Sequence, residues 1–220
     1  MLETISAIWA KYGYVYLQGV RGTIYIAVVT VVLGTVLGTL LSFVRLSRFR
    51  IPQGIIALYV WVLRGTPALL QIYFFYFFVP KYLSFNMDER ACIVMALVVN
   101  ASAYIEEVIR AGIQAVDKGQ AEAARSLGMT SAHTMTRIIL PQAVKNILPA
   151  LGNEFIVMIK EASLASIFFI VEITSAFKTV QSATFITIPA LVISGGLYLL
   201  LTTVLSGLMK LVERRLQSND

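Results

Sequence analysis

Arg64, Lys160 and Glu161 stand inside long apolar stretches of this 220-residue chain, with Asn100, Ser102 and Ser163 nearby in the same kind of sequence. A charged side chain near mid-bilayer costs about 2.5–3.5 kcal/mol on insertion scales, so it faces a partner or a wet cavity. Groups of both kinds in one small volume suit a zwitterion. Glu161 and Ser163 would accept from an ammonium or guanidinium, while Asn100 and Ser102 would hold a carboxylate or an amine. Arg64 lies about 22 Å of helix from Val79, at about 1.5 Å per residue. Gly65 and Pro67 beside it free backbone groups, which membranes tolerate where a broken helix lines a cavity. Arg64, Thr66 and Leu69 are therefore candidate pathway residues. Each has a plainer reading. Arg64 would serve as a structural cation bonded to carbonyls, Glu154 or Glu161; Lys160 and Glu161 would neutralise each other; and Asn100 would bridge helices.

Other chemistries lack their residues. His133 is the sole histidine and Cys92 the sole cysteine, so no metal cluster, disulfide framework or HExxH site is available. Neither GxSxG nor the GxxxxGK[ST] phosphate loop occurs, so no catalytic residues are assigned and any ATP-hydrolysing unit must be another chain. His133 reads as a surface residue. The run Phe74-Phe75-Tyr76-Phe77-Phe78 before Pro80 reads as an interfacial aromatic belt with packing.

The elements that must hold these residues are hydrophobic. The chain is 58% hydrophobic and 14% charged, where soluble domains carry about 25% charged residues. A span needs about 20 mainly apolar residues. The candidates are Gly22–Val44, Gly54–Val79, Ala91–Ile109, Leu151–Val171 and Ile186–Leu208, giving an all-α membrane protein with about five transmembrane helices in one domain, 1–220. Leu2, Ile5, Ile8, Trp9, Tyr12 and Tyr16 recur at helical spacing and suggest a separate interfacial helix before the first span. The net charge of +6 is spread between apolar stretches, which argues for membrane flanks and against nucleic acid. The turn 45–50, the segment 110–150 and the C-terminus hold eleven of the eighteen basic residues. By the positive-inside bias these face the cytoplasm, leaving the N-terminus outside and the C-terminus inside.

Segment 110–150 is the part that departs from the hydrophobic pattern, and it reads as a cytoplasmic helical loop. It contains Glu122-Ala123-Ala124, then Gly128, then Ile138, Leu140 and Pro141, at the spacing E-A-A-x3-G-x9-I-x-L-P. Lys118 to Leu127 has high helix propensity. Gly128 sits where a left-handed C-cap would end that helix, and Thr130 or Ser131 would cap the next. Two short helices meeting at a glycine form a knob, with Pro141 and Pro149 delimiting the segment after it.

This spacing resembles the EAA loop of ABC-importer permeases, the segment that docks into an ATPase. Arg64-Gly65-Thr66-Pro67, Asn100-Ala101-Ser102-Ala103-Tyr104, Gly119-Gln120-Ala121-Glu122-Ala123-Ala124, Leu140-Pro141-Gln142 and Lys160-Glu161-Ala162-Ser163-Leu164 follow in order. Together, over about residues 20–212, they resemble permeases of polar amino-acid ABC importers. Two departures touch the pathway: Lys-Glu-Ala-Ser-Leu stands where the family usually has Lys-Asp-Thr-Ser-Leu, and Ala68 where it has a bulky apolar residue. The resemblance implies ATP-binding cassette ATPase subunits as partners, with ATP and Mg bound there and no cofactor in this chain. It also implies an external solute-binding protein, a second permease copy or paralogue, a polar amino-acid substrate and the bacterial cytoplasmic membrane. Glu122, Ala123, Ala124, Gly128, Ile138, Leu140 and Pro141 would couple to the ATPase. A gradient-driven secondary transporter or channel would account for Arg64, Lys160 and Glu161 but not for the EAA spacing.

Overall fold

The computed structural model describes residues 1–82 and 87–217; residues 83–86, within the polar loop expected at Pro80–Arg90, and residues 218–220 lie outside that description. The described residues are helical, with no strand among them. In order they form α1 (Leu2–Arg45), α2 (Arg50–Arg64), α3 (Ala68–Tyr82), α4 (Glu89–Gln114), α5 (Lys118–Ser126), α6 (Ser131–Thr134), a π-helical turn (Met135–Ile139), α7 (Leu140–Glu161), a 3₁₀ segment (Ala162–Phe168), α8 (Ile173–Thr184) and α9 (Thr187–Gln217). Helices answer the absence of water in a bilayer, because each satisfies its own backbone.

Helices α1 and α4 make the central pair. Ala27, Thr30, Gly34, Gly38 and Ser42 are buried along one face of α1, and small residues let two backbones approach closely in lipid. A Cβ added at Gly38 would stand 2.9 Å from the Ser102 carbonyl oxygen and from Ile105 Cγ2. The opposite face of α1 exposes Val32, Val36, Leu40 and Phe43, a surface that only a lipid-like surrounding solvates well. Helix α4 is capped by Asp88, whose carboxylate accepts the Ala91 amide at 2.7 Å, and its C-terminal half packs with α7 around Ile105, Ile109 and Ile147.

Several expectations are corrected. No separate interfacial helix precedes the first span, since α1 runs unbroken from Leu2 to Arg45. The aromatic periodicity belongs to a packed face: Tyr16 is fully buried and its hydroxyl donates to the Ala190 carbonyl at 3.1 Å. The stretch 54–79 is two helices bent by 106°. Helices α1, α4 and α9 are long and apolar enough to cross a membrane, and the α2–α3 pair makes a fourth if it counts as one span. The stretch 151–171 is not one helix; α7 starts at Leu140, carries Pro149 inside it rather than after it, and stops at Glu161. Beyond it the 3₁₀ segment ends at Phe169, in the left-handed conformation with φ 57°. Glu172 then restarts the chain as α8, accepting the amides of Thr174 at 2.7 Å and Ser175 at 2.5 Å and the Tyr198 hydroxyl at 2.6 Å. The loop expected at 110–150 is correspondingly shorter, because α4 reaches Gln114 before it and α7 takes over at Leu140.

Candidate functional site

The bend between α2 and α3 is built from Gly65, Thr66 and Pro67. Proline has no amide to donate, so the Leu63 carbonyl loses the hydrogen bond that residue 67 would have given it. Gln71 replaces that donor. Its Nε2 donates to the Leu63 carbonyl at 2.8 Å, the Thr66 carbonyl at 3.1 Å and Thr66 Oγ1 at 2.8 Å. Its Oε1 accepts from Asn100 Nδ2 at 2.9 Å. Gln71 and Asn100 are 7% and 5% exposed, so this carboxamide pair is sealed between α3 and α4. Ser102 is likewise buried, 2.7 Å from the Tyr59 hydroxyl. Asn100 and Ser102 thus hold α4 against α3 and α2, the bridging geometry.

Gln71 is the residue that the sequence reading missed. A carboxamide in an apolar helix four positions after a proline is the signal that would have found it.

Arg64 remains partly open, its side chain 42% exposed. Its Nη1 is 3.5 Å from Glu107 Oε2, and its guanidinium lies 5.5 Å from the centre of the Tyr104 ring. Its partner is neither Glu154 nor Glu161. Arg110 also bonds Glu107, and its Nη1 donates to Gln114 Oε1 at 2.7 Å. Polar contacts therefore run from Arg64 at the bend to Gln114 at the end of α4.

Lys160 is exposed, and among the described residues it forms no ion pair with Glu161. Adjacent helical positions point about 100° apart, which separates the two heads. Glu161 ends α7 and Ser163 is the second residue of the 3₁₀ segment, both half-buried. Between them Ala162 is buried in one cluster with Ile72, Ala96 and Leu97, against which Leu69 packs. Of the candidates, the cluster thus holds Leu69 on one side, while Glu161 and Ser163 flank its Ala162 on the other. Glu154, two helical turns before Glu161, is buried.

The knob follows α4. Asp117 caps α5, accepting the Gly119 amide at 2.7 Å. At its end Gly128 has φ +81°. The Gly128 amide donates to the Arg125 carbonyl at 2.9 Å and the Met129 amide to the Ala124 carbonyl at 3.1 Å, which is the Schellman arrangement. Thr130 Oγ1 then accepts the His133 amide at 3.3 Å, so Thr130 rather than Ser131 is the cap. Ala124 is buried, whereas Glu122, Ala123, Gly128 and Pro141 are exposed and Ile138 is half-buried. Leu140 is 36% exposed and Leu127, beside the glycine, 85% exposed. A recess of about 480 Å³ lies beneath, between Gln114, Val116, Ala121, Met135 and Ile139. The candidate residues thus comprise an open cation at the α2–α3 break, half-buried Glu161 and Ser163 beside an apolar cluster, and an exposed knob that follows α4.

Comparison with known proteins agrees with this layout. A family model described as "Binding-protein-dependent transport system inner membrane component" matches residues 8–218. The arginine transport system permease protein of Bacillus subtilis is 40% identical over 204 residues, covering 93% of each chain. The nopaline transport system permease protein of Agrobacterium fabrum is 37% identical over 207 residues, covering 90% of this chain and 86% of its own. The crystal structure of an amino acid ABC transporter with histidines superposes with a TM-score of 0.90 at 40% identity, covering 94% of this chain and 96% of that one. An inward-facing methionine ABC transporter shares the fold with a TM-score of 0.76 at 16% identity, covering 92% and 96%. The chain belongs to the family of inner-membrane components of binding-protein-dependent transport systems, and is a membrane transport subunit rather than an enzyme.

Proposed function

We propose that this chain is the transmembrane subunit of an ATP-driven importer and forms the pathway for a polar amino acid delivered by an external solute-binding protein. The observation that carries this reading is the run of polar contacts from Arg64 at the helix break to Gln114 under the knob. It ties the place where a zwitterion would sit to the surface that an ATPase would grip. Arg64 would meet the carboxylate of the amino acid. Glu161 and Ser163 would meet its ammonium, with Thr66 and Leu69 walling the path, while Asn100 and Ser102 keep the wall in place.

In this reading residues 1–220 are one permease domain in the bacterial cytoplasmic membrane. It has five passes, α7 being the polar one, with the N-terminus outside and the C-terminus inside. The excess of basic residues at 45–50, 110–150 and the C-terminus supports that orientation. A second copy or a paralogue completes the pathway. ATP and Mg bind to separate ATPase subunits, whose closure drives the knobs of Glu122 to Pro141 together and switches the access of the cavity. A gradient-driven transporter or channel has no use for the knob.

Uptake into proteoliposomes tests this. Amino-acid uptake should require ATP, the ATPase and the binding protein. Glu161→Gln should raise the half-saturation constant roughly 10- to 100-fold, the effect of losing about 1.5–3 kcal/mol from a hydrogen bond to a charged group. Its melting temperature should not change, because Lys160 is not paired with it. Uptake by the chain alone on an ion gradient would refute the proposal.

A further inference from the structure

On the side of α1 and α4 opposite the knob lies a recess of about 420 Å³, lined by Gln18, Arg21, Tyr25 and Arg90 and backed by Ile170 and Val171. It shares Tyr25 and Arg90 with a second groove of about 540 Å³, whose further walls include Leu33, Val94, Met95 and Val98. The two recesses thus adjoin at Tyr25 and Arg90, with two guanidinium groups from different helices at the first and a mainly apolar groove in the second.

Both arginines are exposed, and among the described residues neither is in an ion pair. Asp88 also lines the second groove, and its carboxylate is held as the cap of α4 by the Ala91 amide at 2.7 Å. The positive end of the α4 dipole adds to the field beside Arg90.

Spacing sets the depth of the two guanidinium groups. Arg21 and Arg45 bracket the charge-free stretch Gly22–Val44, about 36 Å of helix at about 1.5 Å per residue. Arg90 and Arg110 are about 30 Å apart along α4 by the same rise. The hydrocarbon core of a bilayer is about 30 Å thick. Helices α1 and α4 run in the same direction, Gly34 against Ala101 and Gly38 against Ile105. Arg21 and Arg90 thus share one level, a membrane thickness away from Arg45 and Arg110, where lipid phosphates lie.

We infer that these adjoining recesses bind one anionic phospholipid of the outer leaflet. Its phosphate bridges Arg21 and Arg90, where a guanidinium fork matches phosphate oxygens. An acyl chain lies along Leu33, Val94 and Val98. The two like charges need an anion between them. A second copy of this chain is the poorer occupant, because a two-fold interface here would bring two more unpaired arginines into contact.

The test uses the full chain in its assembled transporter, reconstituted in nanodiscs of phosphatidylcholine alone or with phosphatidylglycerol. Native mass spectrometry reads the retained lipid. Phosphatidylglycerol should be retained in preference to phosphatidylcholine. The double variant Arg21→Gln with Arg90→Gln should lose about tenfold or more of that retention, as two charge-assisted hydrogen bonds are removed. Lys81→Gln, a charge change elsewhere on the same side, should leave it unchanged. If the glutamine variant does not assemble, Arg21→Lys with Arg90→Lys takes its place, and reduced but preferential retention is the supporting result. Inorganic phosphate should not raise the melting temperature of the detergent-solubilised transporter; a rise equal to that from phosphatidylglycerol would make this a simple anion site and overturn the lipid assignment. Equal retention of both lipids, unchanged retention in the double variant, or a change in its oligomeric mass would also overturn it.

Discussion

Two of the breaks between helices, at Gly65–Pro67 and at Leu127–Gly128, are closed in different ways. At the first, the freed carbonyls of Leu63 and Thr66 are satisfied by the side chain of Gln71, which is itself held by Asn100 from another helix. At the second, the carbonyls of Ala124 and Arg125 take backbone amides from Met129 and Gly128, only a few residues along the chain. The difference follows the solvent. Within an apolar bundle an unsatisfied carbonyl has no water to turn to, so the break needs a dedicated side chain and becomes part of the tertiary structure. In a wet loop a local cap suffices, and the outward side chains stay free for a partner.

The largest expected effect comes from breaking the first closure. Gln71→Leu keeps the approximate volume but replaces the carboxamide with an apolar side chain, leaving the buried Leu63 carbonyl and Asn100 Nδ2 without partners and the more open Thr66 carbonyl without its donor. Each buried orphan costs about 1–3 kcal/mol. Since these groups share one network, the total expected is about 3–5 kcal/mol rather than a simple sum. Thermal unfolding in detergent should show a clear loss of stability. Gln71→Leu with Asn100→Leu, which removes one orphan, should recover part of it. A stable single variant would mean that the two breaks are not built differently after all.

A smaller effect is expected at the second closure. Nothing lies within 4 Å of a Cβ built on Gly128, so a side chain there meets no neighbour, and the cost of replacing it comes from φ +81° alone. A non-glycine residue in that region loses about 1–2 kcal/mol, more for a β-branched one, and Asn least. Gly128→Val should therefore loosen the turn, seen as faster hydrogen exchange at Met129. Transport should fall sharply, while membrane insertion and the melting temperature of the bundle stay near those of the unaltered protein. Gly128→Asn should restore most of the transport. If the Gly128→Val protein unfolded as readily as the Gln71→Leu protein, the knob would be part of the bundle core.

The same contrast explains what was legible in the sequence. The knob was readable because its determinants are neighbours: the alanines of α5, Gly128 as its stop and Thr130 as the next cap all act within a few residues. The closure around Gln71 was not, because its partner Asn100 is 29 positions away. Tyr16 misled for the same reason. Its periodicity fits an interfacial helix as well as a buried one, and only the bond to Ala190, 174 positions away, distinguishes them. The plainer reading of Lys160 and Glu161 as a mutually neutralised pair has no ion pair behind it among the described residues, since consecutive helical residues do not face each other.

The smallest expected effect tests whether the two breaks communicate. Glu107 touches Arg64 at the first break and Arg110 on the way to the second. The pair is partly exposed, 42% and 31%, so its contribution to stability is expected to be only about 0.2–1 kcal/mol. Arg64→Gln, Glu107→Gln and the double variant form a cycle that measures it by thermal unfolding. The informative reading is a second cycle on the same proteins: substrate-stimulated ATP hydrolysis in the assembled transporter. If Glu107 only braces the bend, the two cycles should give the same small coupling. If it positions Arg64 relative to the end of α4, the hydrolysis cycle should show a clearly larger coupling than the stability cycle. Glu107→Asp, which keeps the charge but shortens the reach, should then stimulate poorly while melting nearly as the unaltered protein does. Equal couplings in both cycles would separate the two breaks mechanically and leave the knob to respond to the ATPase alone.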